Sequence, residues 1–332
     1  VSPNATPPPL EIARAELEAA AQRVHAVLAP TPLYAWPKLR ARTGASVWVK
    51  HENHTPTGAF KVRGGLIYME RLTRREPGTR HVITATRGNH GQSVAFAAAR
   101  AGLSATVYVP IGNSIDQNAS MRGWGARVIE TGRDFDEASQ AAERASSSEG
   151  LHRIPSFHRD LVIGVATYAL ELFAVAVEFD TVYVGIGMGS GICGLITVRD
   201  LLGLSTEIVG VSAQNAPASA RSFAARRPVP TDSARTFADG IATRRPDPAA
   251  IEVICRGASR IVEVSEDEMA EAVRAYFDDT HQVVEGAGAA PLAALQKERD
   301  RMAGKTVGLI LSGGNIERAR FLELLAGTTP PA

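Results

Sequence analysis

The sequence predicts an α/β protein of two lobes, each a mainly parallel sheet covered by helices. Short apolar runs alternate with helix-period segments over most of the chain, and such alternation means parallel strands with helices returning over them. Gly-rich and Gly-Asn turns recur where an apolar run ends and a helical segment begins, at the sheet edge where ligands collect in such folds. The chain, at 332 residues, is also longer than a single hydrophobic core usually serves.

The elements follow in order. Residues 1–9 are Pro-rich and read, like 327–332, as a flexible tail. Residues 11–28 carry Ile12, Leu17, Ala20, Val24 and Val27 at helical spacing and stop before Pro30. Thr31-Pro32-Leu33 is extended. Val47-Trp48-Val49 is a strand that turns polar at His51, Glu52, Asn53 and His54. Thr55-Pro56-Thr57-Gly58 is a turn, after which Val62, Leu66, Met69 and Leu72 mark a helix with Lys61 at its start. Strands are expected at 81–86, 105–110, 127–130 and 151–154, with helices at 89–101, 117–125 and 135–146 between them. A crossing between lobes near 156–163 leads into a helix at 164–177. Strands at 181–184 and 207–211 flank a helix at 190–202, and 214–250 lack periodicity. A strand at 260–264, a helix at 266–279, a largely helical 286–302, a strand at 306–311 and a helix at 316–325 complete the chain.

The composition excludes several classes. A net charge of +1 leaves no electrostatic footprint for nucleic acid or a membrane surface. Arg226-Arg227 and Arg244-Arg245 read as solvated loop charges. Cys193 and Cys255 are too far apart for a zinc spacing, and so few cysteines fit a reducing cytosol. No apolar run reaches the length of a membrane span. A cytoplasmic protein without membrane or nucleic-acid partners is expected.

Four stretches carry chemistry. Lys61 follows a tight turn and Phe60 at a helix start, where the helix dipole disfavours its protonated form. A lysine of lowered pKa forms imines, although a solvated first-turn lysine is the alternative. In Thr86-Arg87-Gly88-Asn89-His90, backbone N–H groups at a helix start suit a carboxylate, and Asn89 suits a phenolic or carbonyl oxygen. A bland turn explains Gly88-Asn89 equally well. Gly185 to Gly191, reading GIGMGSG, opens a helix after a strand and suits a phosphate. A dinucleotide site with Glu207 as its acidic residue is the alternative, but the turn lies beyond mid-chain, and a phosphate monoester fits better. Ser312-Gly313-Gly314-Asn315 ends the last strand with a neutral hydroxyl, suited to an aromatic nitrogen. An aldehyde, a phosphate, a ring oxygen and a ring nitrogen together describe pyridoxal phosphate.

In the order TGAFKVRGG, TATRGNHGQ, GIGMGSG and SGGN, supported by TFADGI (236–241) and EGAGA (285–289), the chain resembles the serine/threonine dehydratase group of fold-type II pyridoxal-phosphate enzymes. That fold is tryptophan synthase β-like, and the resemblance covers roughly residues 10–325. It implies a large lobe from 10–79 and 156–326 with a small lobe inserted at 80–155, and a homodimer acting on a small amino acid. Lys61 would hold the cofactor as an imine and act as the catalytic base. Phe60 would pack beside the ring, Asn89 would bond the ring 3-hydroxyl, and Ser312 would meet the pyridine nitrogen. Gly187, Met188, Gly189, Ser190 and Gly191 would cradle the phosphate. Thr86, Arg87, Gly88, Asn89 and His90 would form the substrate turn. The reaction implied is β-elimination of a hydroxyl from a serine, threonine or 3-hydroxyaspartate type substrate, giving a 2-oxo acid and ammonia. A β-replacement synthase, a racemase and a non-catalytic phosphate-ligand sensor are the alternatives.

The sequence departs from that pattern in three places. GMGS replaces a run of glycines, so Met188 and Ser190 must fit without positive φ. Arg87 stands where racemase-like members place a serine base; a guanidinium is no base near neutral pH. It either pairs with a side-chain group of the substrate or balances a surface acid. Gln214 and Ala220 stand where such members hold a divalent metal with carboxylates, so no metal is expected.

Overall fold

The structure is a computed structural model that describes residues 10–331; the tail expected at 1–9 and Ala332 lie outside the described residues. The chain opens with α1 (Arg14–His25), β1 (Leu33–Ala35), α2 (Pro37–Thr43), β2 (Ser46–His51) and α3 (Lys61–Arg75). Next come β3 (His81–Ala85), α4 (Asn89–Arg100), β4 (Ser104–Val109), α5 (Ile115–Gly123), β5 (Arg127–Glu130), α6 (Phe135–Glu149) and β6 (His152–Arg153). Then follow α7 (Arg159–Phe173), β7 (Thr181–Gly185), α8 (Ser190–Leu201), β8 (Glu207–Ala213), α9 (Ala218–Ala225), a 3-10 turn at Asp239–Ile241 and α10 (Pro248–Gly257). The last elements are β9 (Arg260–Val264), α11 (Glu266–Thr280), α12 (Gly286–Lys297), α13 (Arg299–Met302), β10 (Thr306–Leu311) and α14 (Arg318–Leu325).

Two sheets result. One has six strands in the order β1-β2-β10-β7-β8-β9, parallel except for the antiparallel edge pair β1–β2. The other has four parallel strands in the order β5-β4-β3-β6, all drawn from 81–153. Helices cover both faces of each, as parallel strands require. On one face of the larger sheet, α1, α3, α7, α8 and α10 bury Val62, Ile163, Ile192 and Ile254; on the other, α2, α11, α12 and α14 bury Leu39, Val273, Leu292 and Leu324. On the smaller sheet, Val94 of α4 and Met121 of α5 pack on one face and Ala142 of α6 on the other. Among the described residues, no helix is long and apolar enough to cross a membrane.

The helix that begins at Lys61 is held at close quarters. A Cβ on Gly164 of α7 would stand 2.2 Å from the Arg63 carbonyl oxygen, and one on Gly64 would stand 2.7 Å from that of Leu161. Backbone meets backbone there, so Gly64 serves the α3–α7 crossing, while its neighbour Gly65 faces Ser93 of α4. Two expectations are corrected. The helix expected from 164 begins at Arg159, because the His158 side chain accepts from the Asp160 N–H and caps it. Arg244, expected as a solvated loop charge, is half-buried and paired with Asp136, Nη1 to Oδ2 at 2.7 Å.

Candidate active site

Three of the motifs follow neighbouring strands. β2, β10 and β7 lie side by side and parallel, so the turns after His51, Leu311 and Gly185 emerge on one edge. Two of these turns are tied together: Phe60 N–H donates to the Ser312 carbonyl at 3.1 Å, and Gly314 N–H donates to that of Gly58 at 2.9 Å. Ala59 and Gly313 form a β-bridge between them. The turn after β3, from the smaller sheet, meets this edge through Asn89.

Lys61 is the first residue of α3, behind an N-cap, Phe60, that makes no side-chain capping bond. Its Nζ lies 3.4 Å from Ser190 Oγ and 5.0 Å from the centroid of the Phe60 ring. Phe60 in turn stands edge-on to Tyr168. The Lys61 amine is lowered to about 8, mainly because burial penalises its charge, with the Glu285 carboxylate pulling the other way. The direction is the one expected from the helix dipole, but the larger cause is desolvation.

Asn89 is fixed on both sides. Its Nδ2 donates to both oxygens of Glu285, at 2.8 and 3.1 Å, and its Oδ1 accepts from Asn315 Nδ2 at 2.8 Å. Asn315 Nδ2 also donates to the Thr57 carbonyl, and Gln117 Nε2 donates to the Asn315 carbonyl at 3.1 Å. Glu285 was not among the expected site residues. Burial pushes its carboxyl up to about 7, and Asp239 adds to the rise, while Asn89, the Asn315 N–H and Lys61 oppose it. The one sequence signal for it was an acid placed ahead of a Gly-Ala helix start.

The rest of the substrate turn is more varied. Thr86 is buried, and its Oγ1 accepts from the Gly88 N–H at 3.0 Å. His90 Nε2 is buried without a partner, and burial followed by the Lys61 charge drives the ring down to about 3. His90 is therefore neutral at working pH. Arg87 turns outward and pairs with Asp239, Nη1 to Oδ1 at 2.9 Å.

The 185–191 turn is a backbone cradle. Gly189 has φ +101, and a Cβ on Gly187 would stand 2.3 Å from the Gly240 carbonyl oxygen. Among the described residues the non-glycine positive φ angles are those of Arg226 and His281, so Met188 and Ser190 fit as the sequence required. α8 begins behind Gly189 and α4 behind Gly88, neither with a side-chain cap. By contrast α5, α6, α10 and α11 are capped by Ser114, Asp134, Asp247 and Ser265. Uncapped helix starts leave N–H donors for anions. Gly191 is fixed by the Tyr168 hydroxyl, which donates to its carbonyl at 2.9 Å, and Ser312 is buried. An amine of lowered pKa, two open helix starts, an oriented amide and a neutral hydroxyl fit the groups of pyridoxal phosphate. No group of three or more His, Cys, Asp or Glu is placed to hold a metal among the described residues.

The comparisons with known proteins agree with this donor set. Residues 24–313 match the family model described as pyridoxal-phosphate dependent enzyme. The chain is 38% identical to an L-threonine ammonia-lyase of Geobacter sulfurreducens over 83% of this chain and 69% of that one. It is 31% identical to an L-threo-3-hydroxyaspartate ammonia-lyase of Pseudomonas sp. over 93% and 97%. Among solved structures it is similar to a T.th. threonine deaminase, with a TM-score of 0.86, 31% identity and coverage of 92% and 99%. It is also similar to a pyridoxal 5'-phosphate-dependent aspartate racemase, with a TM-score of 0.87, 27% identity and coverage of 95% and 99%. By the family match over residues 24–313 and by these identities, the chain belongs to the pyridoxal-phosphate dependent enzymes, within their serine/threonine dehydratase (ammonia-lyase) family.

Proposed function

We propose that this enzyme eliminates the β-hydroxyl of a β-hydroxy-α-amino acid of the serine, threonine or 3-hydroxyaspartate type, releasing a 2-oxo acid and ammonia. The observation that carries the reading is the Lys61 amine, lowered to about 8 beside Ser190 and Phe60. Near that pH it exists in both protonation states, as proton transfer at Cα requires. In this reading Lys61 would hold pyridoxal phosphate through its aldehyde, and its amine, when free, takes the Cα proton. Pyridoxal phosphate, when bound, supplies the electron sink for the pair left at Cα.

The other residues bind and orient. Gly187, Met188, Gly189, Ser190 and Gly191 offer backbone N–H groups, and Ser190 a hydroxyl, to the phosphate. Phe60 would flank the cofactor ring, and Asn89, its amide already oriented by Asn315 and Glu285, would hold the ring oxygen. Ser312 would meet the ring nitrogen without donating a full charge. The turn of Thr86, Arg87, Gly88, Asn89 and His90 receives the α-carboxylate at the open start of α4. The likeness to an aspartate racemase makes racemisation the second reading. Arg87 argues against it, since a guanidinium supplies no base opposite Lys61.

The test is release of 2-oxo acid and ammonia from L-serine, L-threonine and the 3-hydroxyaspartate isomers, with Lys61→Ala in parallel. Release from at least one substrate, reduced about a thousandfold or more in the variant, is expected. No 2-oxo acid from any of them overturns the proposal, and chiral analysis of recovered substrate measures racemisation.

A further inference from the structure

Arg87 is held by one N–H. Its Nη1 donates to Asp239 Oδ1 at 2.9 Å, and among the described residues the guanidinium makes no other hydrogen bond. Arginine carries five N–H donors in a rigid fork, so most of the fork is open to another acceptor. The side chains are 46% and 49% exposed, so water reaches the pair. The pair joins the turn after β3 to the 3-10 turn Asp239–Ile241, next to the site. The Gly240 carbonyl backs Gly187 of the phosphate cradle, and a Cβ on Gly240 would lie 3.5 Å from Glu285 Oε1. Glu285 in turn bonds Asn89, two residues beyond Arg87.

We propose that Asp239 is the resident half of an exchangeable ion pair and sets the preference of the enzyme between dicarboxylic and neutral β-hydroxy amino acids. The proposal rests on the substrate class argued above. With a neutral substrate side chain, Asp239 balances Arg87 and nothing rearranges. A second carboxylate on the substrate takes the free edge of the fork, where guanidinium and carboxylate match bidentately. It then meets the negative charge of Asp239, which releases Arg87 wholly or in part; an exposed pair is weak enough for that exchange. The Asp239 charge therefore moderates dicarboxylate binding without excluding it. An amide at 239 keeps the acceptor for Arg87 and removes the repulsion.

A second ion pair supplies the control. Arg244 forms an ion pair with Asp136, Nη1 to Oδ2 at 2.7 Å, and links the same two parts of the molecule from the same segment, without touching Arg87. Were Asp239 only a tether, breaking the Arg244 pair would have the same effect.

The experiment is calorimetric titration of the holoenzyme with malate, a dicarboxylate without an amine, and with 3-hydroxybutyrate, a monocarboxylate counterpart. Binding rather than turnover is read. Asp239→Asn is expected to tighten malate about three- to fivefold and to leave 3-hydroxybutyrate within about twofold, with the gain fading as salt is raised. Arg87→Gln is expected to remove the advantage of malate, and Arg244→Gln to move neither ligand or both alike. An unchanged malate-to-hydroxybutyrate ratio in Asp239→Asn, no malate binding to wild type or variant, a malate advantage surviving Arg87→Gln, or an Arg244→Gln effect matching that of Asp239→Asn each overturns the proposal. Threonine turnover in the same preparations separates the two readings. Turnover with an unmoved ratio sinks this proposal alone, and no turnover of any β-hydroxy amino acid sinks the lyase reading.

Discussion

Glu285 brings an acid to the edge where Asn89 and Lys61 meet. Both its oxygens accept from Asn89, and the backbone of Gly313 lies so close that a Cβ there would be 2.8 Å from Oε1. Its carboxyl is raised to about 7 from 4.5, chiefly by burial. A raised folded-state pKa contributes stability that is present below the unfolded value and lost as pH climbs through the folded one. In the cofactor-free protein that window runs from 4.5 to about 7. Glu285→Gln keeps an acceptor for Asn89 and cannot ionise. Urea unfolding should find it no more stable than wild type at pH near 4.5 and more stable at pH 8, by about 1–3 kcal/mol. A variant that is weaker than wild type at both pH values would show that Glu285 sits ionised and well solvated.

At the scale of elements, the 185–191 turn proposed to cradle the phosphate depends on backbone approaching backbone. Gly187→Ala places a methyl 2.3 Å from the Gly240 carbonyl oxygen, and that oxygen belongs to a segment anchored at Thr236 and Phe237 by Glu266. The turn must move, at about 1–3 kcal/mol for the strain, and its N–H groups then lose their common focus. Absorbance titration should show cofactor affinity reduced about tenfold or more, with melting of the cofactor-free protein shifted much less. Equal affinity would mean that the turn does not carry the phosphate. Why the strand-turn-helix form of 185–191 was legible in the sequence follows from the same physics. Repeated glycines at a strand-to-helix junction have few other uses, and strands such as Thr181–Gly185 and Thr306–Leu311 carry apolar runs with clear ends. Pro37–Thr43 was not legible as a helix, since seven mostly polar residues beginning with proline lack a periodic face. Asp239 and Glu285 lie in TFADGI and EGAGA, two motifs the sequence offered, but the partners they meet were not legible there. Their partners Arg87 and Asn89 lie 152 and 196 positions away, and no local spacing encodes such a meeting.

Across the whole molecule, the position of Lys61 depends on a charge cluster that no single element contains. Arg63, buried two residues into α3, donates to Glu52 from Nε at 2.7 Å and from Nη2 at 2.9 Å. It also donates to Glu171 of α7 from Nη1 at 2.6 Å and Nη2 at 2.9 Å, and to Thr167 Oγ1 at 3.1 Å. Lys50 Nζ donates to the Thr31 carbonyl at 2.7 Å and to Glu171. Two cations and two carboxylates thus neutralise one another and join β2, α3 and α7 at the end of the helix where Lys61 begins. Breaking such a buried pair from one side is far more damaging than its net worth, because the remaining charges stay buried. Arg63→Met keeps the apolar stem and should cost about 3–5 kcal/mol at pH 7. Glu171 adds a pH signature. Its carboxyl is held at about 2, against 4.5, by Arg63 and Lys50 working against burial. A depressed carboxylate contributes stability that is present above the unfolded value and lost as pH falls through the folded one. The wild type should therefore lose stability between 4.5 and about 2. In Arg63→Met the carboxylate has lost its main partner and takes up its proton at higher pH, so the gap between the two proteins should narrow from pH 7 to pH 3. Urea unfolding at both pH values measures it, and a gap of the same size at each would mean that Glu171 does not depend on Arg63 for its charge.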